Sequence, residues 1–211
     1  TVDNITILMA DDIRTDKIND RKVVMESLER LLAQNYIGKT GDIYNFLTDE
    51  EQEIARDIRL INIDGSNIAS EVGSIIYDDI YSSKKFSMGQ YVFSIDRMID
   101  NHNIGLSNGG LIIDVRTMAD DAIEKNETKL ALSSQDRIII VLPETSYYES
   151  LEQSQKIREY VSHKNVNQLP ESVRDIIKGH NEKANRLEKE AKEDLEQALI
   201  KATYYIAGQK V

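Results

Sequence analysis

Cysteine is absent from this chain. That removes disulfides, thiol nucleophiles, iron–sulfur clusters and cysteine-ligated zinc together, and it fits a reducing, cytoplasmic setting. Tryptophan is also missing and phenylalanine occurs only 3 times against 10 tyrosines, so the aromatic content rests on tyrosine. Proline stands only at Pro143 and Pro170, which points to long regular elements and few rigid linkers. No run of about eighteen apolar residues occurs, so no membrane span or membrane partner is expected. The N-terminus shows no basic stretch followed by an apolar one, so no secretory signal is expected either. Positive charge is in deficit: the formal net charge is -11. Such a chain repels phosphate backbones on average, although a local basic patch could still bind.

What is present is ordinary for a soluble globular chain. The 211 residues suffice for one large domain or two small ones, and 40% are apolar and 30% charged. The chain opens at Thr1 and closes on the apolar stretch Thr203 to Val211. Both ends read as cuts in a longer polypeptide.

Periodicity predicts the elements. Residues 5–13 form a short apolar element, read as helix, and a polar break follows at 16–20. Val23, Val24, Leu28, Leu31 and Leu32 recur at helical spacing and predict a helix to about Asn35. Ile37 to Leu47 flanks a Gly/Asp/Lys turn with alternating residues, a hairpin signature. A helix followed directly by a hairpin is the end of a winged-helix module. Thr48-Asp49-Glu50-Glu51 is a capping box that opens a helix to about Ile61. Another helix starts at Asp64-Gly65-Ser66 and carries Ile68, Val72, Ile75, Ile76 and Ile80. Residues 82–89 read as a loop, 91–96 as a strand with 98 and 99 as its candidate continuation, 101–103 as a turn and 111–115 as a second strand. Residues 117–136 read as a polar connection. Arg137 to Pro143 is the clearest strand, β-branched and continuous, hence central. A helix over 146–163 follows. Pro170 is placed at the first position of a long helix whose apolar stripe runs from Val173 to Leu199 near heptad spacing. The stripe is most simply buried against the helix at 146–163. A last strand covers 203–209.

No catalytic pattern is complete. Gly38-Lys39-Thr40 looks like the end of a phosphate-binding loop, but Ala33 occupies the first glycine position, and a helix precedes it where a strand is needed. His102, His163 and His180 fall in three separate elements without metal-ligand spacing. The acidic pairs Asp11-Asp12, Asp78-Asp79 and Asp120-Asp121 read as solvated or salt-bridged groups. Ser82-Ser83 and Ser133-Ser134 lack the nucleophile-elbow pattern. The winged-helix-like stretch carries a modest basic set, with Lys22, Arg30 and Lys39 as candidate nucleic-acid contacts. Asp20, Glu26, Glu29 and Asp42 offset them, which favours packing or protein contact over DNA reading.

Several stretches together resemble the P-loop ATPase component of BREX bacteriophage-exclusion systems (BrxC/PglY type). They are Phe46 to Ile54, Ile75 to Tyr81, Tyr91 to Arg97, Gln135 to Pro143 and Ala202 to Val211. The resemblance spans most of the chain in order. It implies a segment following the ATPase module of a longer protein, with ATP and Mg confined to that parent and no cofactor or metal here. It also implies ATP-dependent phage defence, with partners among the parent's other domains and sibling subunits. No ATP-site residue carries over, because no position matches.

The sequence therefore predicts an α+β chain with a winged-helix-like module over 1–62. A mixed α/β domain over 63–211 follows, with a small mixed sheet and a long C-terminal helix. The leading expectation is a non-catalytic accessory region, and a DNA-binding winged helix is the alternative.

Overall fold

The computed structural model describes residues 1–10, 16–120 and 126–211. They divide into two compact units, residues 1–61 with 165–176, and residues 62–164 with 177–211.

The first unit starts with α1 (Val2–Leu8), capped by the Thr1 side chain, and α2 (Lys17–Ala33). The first helix thus begins three residues earlier than its apolar pattern suggests, and residues 11–13 of the predicted element lie outside the described residues. The polar break at 16–20 is the start of α2 instead. Asp16 accepts hydrogen bonds from the N–H groups of Ile18 and Asn19, which satisfies donors that a helix start leaves orphaned. β1 (Ile37–Thr40) and β2 (Ile43–Phe46) form the expected antiparallel hairpin. α3 (Asp49–Leu60) has the predicted capping box. Glu51 N–H donates to Thr48 Oγ1 at 3.2 Å and Thr48 N–H donates to Glu51 Oε2 at 2.7 Å. Val24, Leu28 and Ile37 make the small core, with Val2, Ile5, Leu32 and Tyr44 packed on it.

The second unit opens with α4 (Gly65–Ser74), capped by Asp64, which widens into a π-helical stretch over Ile75–Ile80. Then come β3 (Lys85–Met88), β4 (Tyr91–Ile99), β5 (His102–Ile104), β6 (Leu111–Arg116), α5 (Glu127–Ser133) and β7 (Arg137–Val141). The chain closes with α6 (Tyr147–Ser162), α7 (Glu171–Ile200), β8 (Thr203–Ile206) and β9 (Gln209–Lys210). Four elements differ from expectation. Residues 82–89 hold a strand, residues 102 and 103 of the expected turn at 101–103 already belong to β5, the polar connection at 117–136 contains α5, and the last strand expected over 203–209 is two antiparallel strands, β8 and β9. Pro170 stands just outside α7, where its carbonyl accepts the Arg174 N–H at 3.0 Å.

The sheet order is β3-β4-β6-β7-β8-β9, with β5 paired to β4 off this path. β4, β6 and β7 run parallel, and the outer pairings are antiparallel. β7 is interior, as its apolar run predicts. Registers align Ile99 with Val115 and Val115 with Ile140, so these residues share one face. Ile68, Val72, Tyr77, Leu151, Ala191, Leu195 and Ala198 pack on that face and form the main core. In α7, Ile177, Ala184, Ala191 and Ala198 are all buried and repeat every seventh residue. α6 and α7 meet inside the chain, where Arg158 grips Glu188 Oε1 at 2.9 Å and Oε2 at 3.0 Å. Among the described residues, no helix is long and apolar enough to cross a membrane.

Candidate functional site: a charged cluster on the second sheet face

The other sheet face is polar. Register aligns Met98 with Asp114 and Asp114 with Ile139, and the two-residue period adds Asp96, Arg116 and Arg137 to this face. Asp114 is fully buried and pairs with Arg116 at 2.8 Å. Arg137 approaches the same carboxylate at 3.9 Å. Arg116 further donates to Asp120 Oδ2 and Asn101 Oδ1, while its Nε is buried without an acceptor. Burial pushes the Asp114 carboxyl up from its ordinary pKa, against the pull of Arg116.

Just past the ends of β4 and β6 sit Asp100 and Thr117. Asp100 and Asn101 both have positive φ, 46° and 65°, a conformation that Asp and Asn tolerate better than most side chains. Their turn is locked from two sides. Asp100 accepts Thr117 N–H and Thr117 Oγ1–H at 2.6 Å each, and Asn101 N–H donates to Asp114 at 3.3 Å. Burial raises the Asp100 pKa as well, with the Thr117 bonds opposing it.

Asp96 organises a loop. Its carboxylate accepts from Ser107 Oγ at 2.6 Å and from the N–H groups of Asn108, Gly109 and Gly110 at 2.8, 3.0 and 3.2 Å. The Ser107 bond and then these N–H groups hold its pKa below the ordinary carboxylate value. Next to the cluster lies an open recess of about 450 Å³ lined by Asn101, Leu132, Ser133, Gln135, Asp136 and Arg137. Arg137 Nε already donates to Asp136 at 3.0 Å. The recess therefore presents a neutralised guanidinium and an amide, able to hold a polar group but with no nucleophile paired to a base.

The predicted nucleic-acid contacts have local partners of their own. Lys22 sits on α2, 4.0 Å from Glu26 and 76% exposed. Arg30, eight residues on, is about 80° further around the helix axis and bonds Glu26 O and Ser27 Oγ. Lys39 lies over the Tyr44 ring on the hairpin. Gly38-Lys39-Thr40 lies in and before no phosphate-type turn but within β1. His102 bonds Asp100 O and His163 bonds Glu159 O, while His180 lies within α7. Asp78 pairs with Arg97, Asp79 with Lys192 and Asp120 with Arg116. Asp11, Asp12 and Asp121 lie outside the described residues. Among the described residues, no group of three or more acidic or histidine side chains is placed to hold a metal.

Sequence reasoning missed Asp96, Asp100, Asn101, Asp114, Arg116, Thr117 and Arg137. The available signal was the charge at every second position, Asp114 and Arg116 in an otherwise apolar strand.

Residues 61–211 match the family model described as the BREX ATP-binding protein BrxC 4th domain with six-stranded beta sheet. The chain belongs to this family. Its continuous path of six strands, with β5 at the side, agrees with that description. The earlier resemblance to a BrxC-type BREX protein is thereby confirmed over residues 61–211, whereas the match does not show the P-loop ATPase part. No solved structure matches the chain.

Proposed function

We propose that this segment is a non-catalytic accessory region of a BREX-type phage-defence ATPase. It serves contacts with other parts of that protein or with sibling subunits. One observation carries the reading. The ionisable side chains at the carboxyl ends of the parallel strands, where open α/β sheets usually place their chemistry, are already engaged by neighbouring groups: Asp100 by Thr117, and Arg116 by Asp114 and Asp120. ATP and Mg belong, on this reading, to the parent protein, and the setting is the cytoplasm. Purified chain should therefore bind purified sibling subunits of its own system in calorimetry or co-elution, and should not turn over ATP. Robust ATP turnover by the chain, or the absence of binding to every sibling subunit, sinks the reading.

A winged-helix role for the first unit, with duplex DNA held by Lys22, Arg30 and Lys39, is the second reading. The exposed Lys22 favours it; the inward turn of Arg30 onto α2 speaks against it. Anisotropy titration of a labelled duplex at about 50 and 200 mM salt tests it, since phosphate contacts weaken steeply over that range. Salt-sensitive binding that the triple replacement by Glu abolishes would support it; binding unchanged by that replacement would refute it.

A further inference from the structure

The core face of β4 does not end where its helices end. Ile99 is buried beneath them, and Ile95, on the same face, is buried too. By the two-residue period, Phe93 and Tyr91 continue the same face outward. Register places Phe86 opposite Phe93 and Met88 opposite Tyr91, so all four side chains form one apolar surface. They are 46%, 61%, 59% and 43% exposed for Phe86, Met88, Tyr91 and Phe93. A contiguous apolar surface of this kind marks an interaction site more often than a solvated one.

This surface adjoins an open sheet edge. β3 ends the strand order, and every residue in it is exposed. Ile95 N–H donates to Lys84 O at 2.9 Å. That bond makes Lys84–Ile95 a hydrogen-bonded pair, and the alternation of an antiparallel ladder then makes Phe86–Phe93 and Met88–Tyr91 the next ones. Lys85 and Ser87 consequently turn their N–H and C=O groups to the outer edge. Charge selects the occupant. From Ser82 to Ile95 the chain carries Lys84 and Lys85 and no acidic residue, whereas the whole chain has net charge -11.

We propose that β3 receives an extended acidic strand of another protein. Its backbone pairs with Lys85 and Ser87, its apolar residues cover Phe86 and Phe93 on one face, and its carboxylates meet Lys85 on the other. This deepens the interaction reading above and rests on it. A second copy of the chain fits less well, because edge-to-edge pairing would crowd both lysine pairs into one ribbon and join two strongly acidic molecules. A bilayer fits less well too, because it leaves edge N–H and C=O groups without partners.

The test uses the 211-residue chain and two labelled, blocked peptides of equal length, one alternating Glu and Val, the other Lys and Val. The Glu–Val peptide should bind and the Lys–Val peptide should not. Phe86→Ser with Phe93→Ser, and separately Ser87→Pro, should each weaken binding about tenfold, equivalent to roughly 1.4 kcal/mol. Far-UV circular dichroism should leave the folded signal of the double variant unchanged, since both side chains are exposed. Equal binding of the two peptides, no binding of the Glu–Val peptide, or no effect of either variant overturns the proposal. So does self-association, or capture by phosphatidylserine vesicles, that depends on Phe86 and Phe93. If sibling subunits bind the parent chain and the double variant alike, the interaction reading stands and the strand-docking proposal falls. If the Glu–Val peptide docks as expected while no sibling subunit binds, the interaction reading falls instead.

Discussion

Thr117 donates to Asp100 twice, once through its backbone N–H and once through its hydroxyl, both at 2.6 Å. The pair stitches the turn after β4 to the end of β6. Both partners are buried, so removing one donor exposes the other group to an unmet bond.

Thr117→Val should accordingly lower stability by about 1–3 kcal/mol, the cost of a buried polar group left short of a partner. Thr117→Ser, which keeps the hydroxyl, should lose much less. Chemical denaturation followed by circular dichroism reads both. A larger loss for Thr117→Ser than for Thr117→Val would show that the methyl group, not the hydroxyl, carries the effect.

The acid limb of stability should depend on Asp96. Its pKa is lowered in the folded chain, chiefly by Ser107 and then by the Asn108 N–H. Its contribution is thus fully present above the ordinary carboxylate value and fades as pH falls through the lowered folded value. Asp96→Asn should flatten the fall in stability on the acid side. An unchanged acid limb in that variant would assign the loss to other carboxylates.

Asp100 should act in the opposite sense. Burial raises its folded pKa, so its contribution is present below the ordinary carboxylate value and is lost as pH rises through the raised one. Denaturation of Asp100→Asn across this window should show a smaller decline with rising pH than the parent. A steeper decline would reverse the assignment.

Ala191 is fully buried in the seven-residue stripe of α7. Ala191→Leu should cost about 1–3 kcal/mol by overpacking. Thermal unfolding measures it, with Glu190→Leu, one residue earlier on the exposed side, as the control expected to change little.

Much of the fold was legible because its signals are local. Thr48 and Glu51 announce their helix through the spacing of a capping box, and the run Arg137 to Val141 announces an interior strand through unbroken β-branched residues. The stripe of α7 is readable because burial selects every third or fourth residue. β3 escaped because Lys85 to Met88 is exposed throughout and acquires its form from pairing with β4. α5 escaped because its seven residues include none that is buried, so no periodic apolar face marks it. The charged cluster was harder still. Asp100, Asp114, Arg116 and Thr117 look like ordinary surface residues one by one, and only strand register reveals that they share one buried site.

β7 lies between β6 and β8, and its Ile139 pairs with Tyr205 on the far side of α6 and α7 in sequence. During synthesis the most apolar strand of the sheet therefore emerges long before its second neighbour. Until Thr203 to Ile206 arrive, β7 is a bare, adhesive edge. Completion of the sheet must wait for a contact distant in sequence, which is slow to form, and in that interval the nascent chain is most open to mispairing.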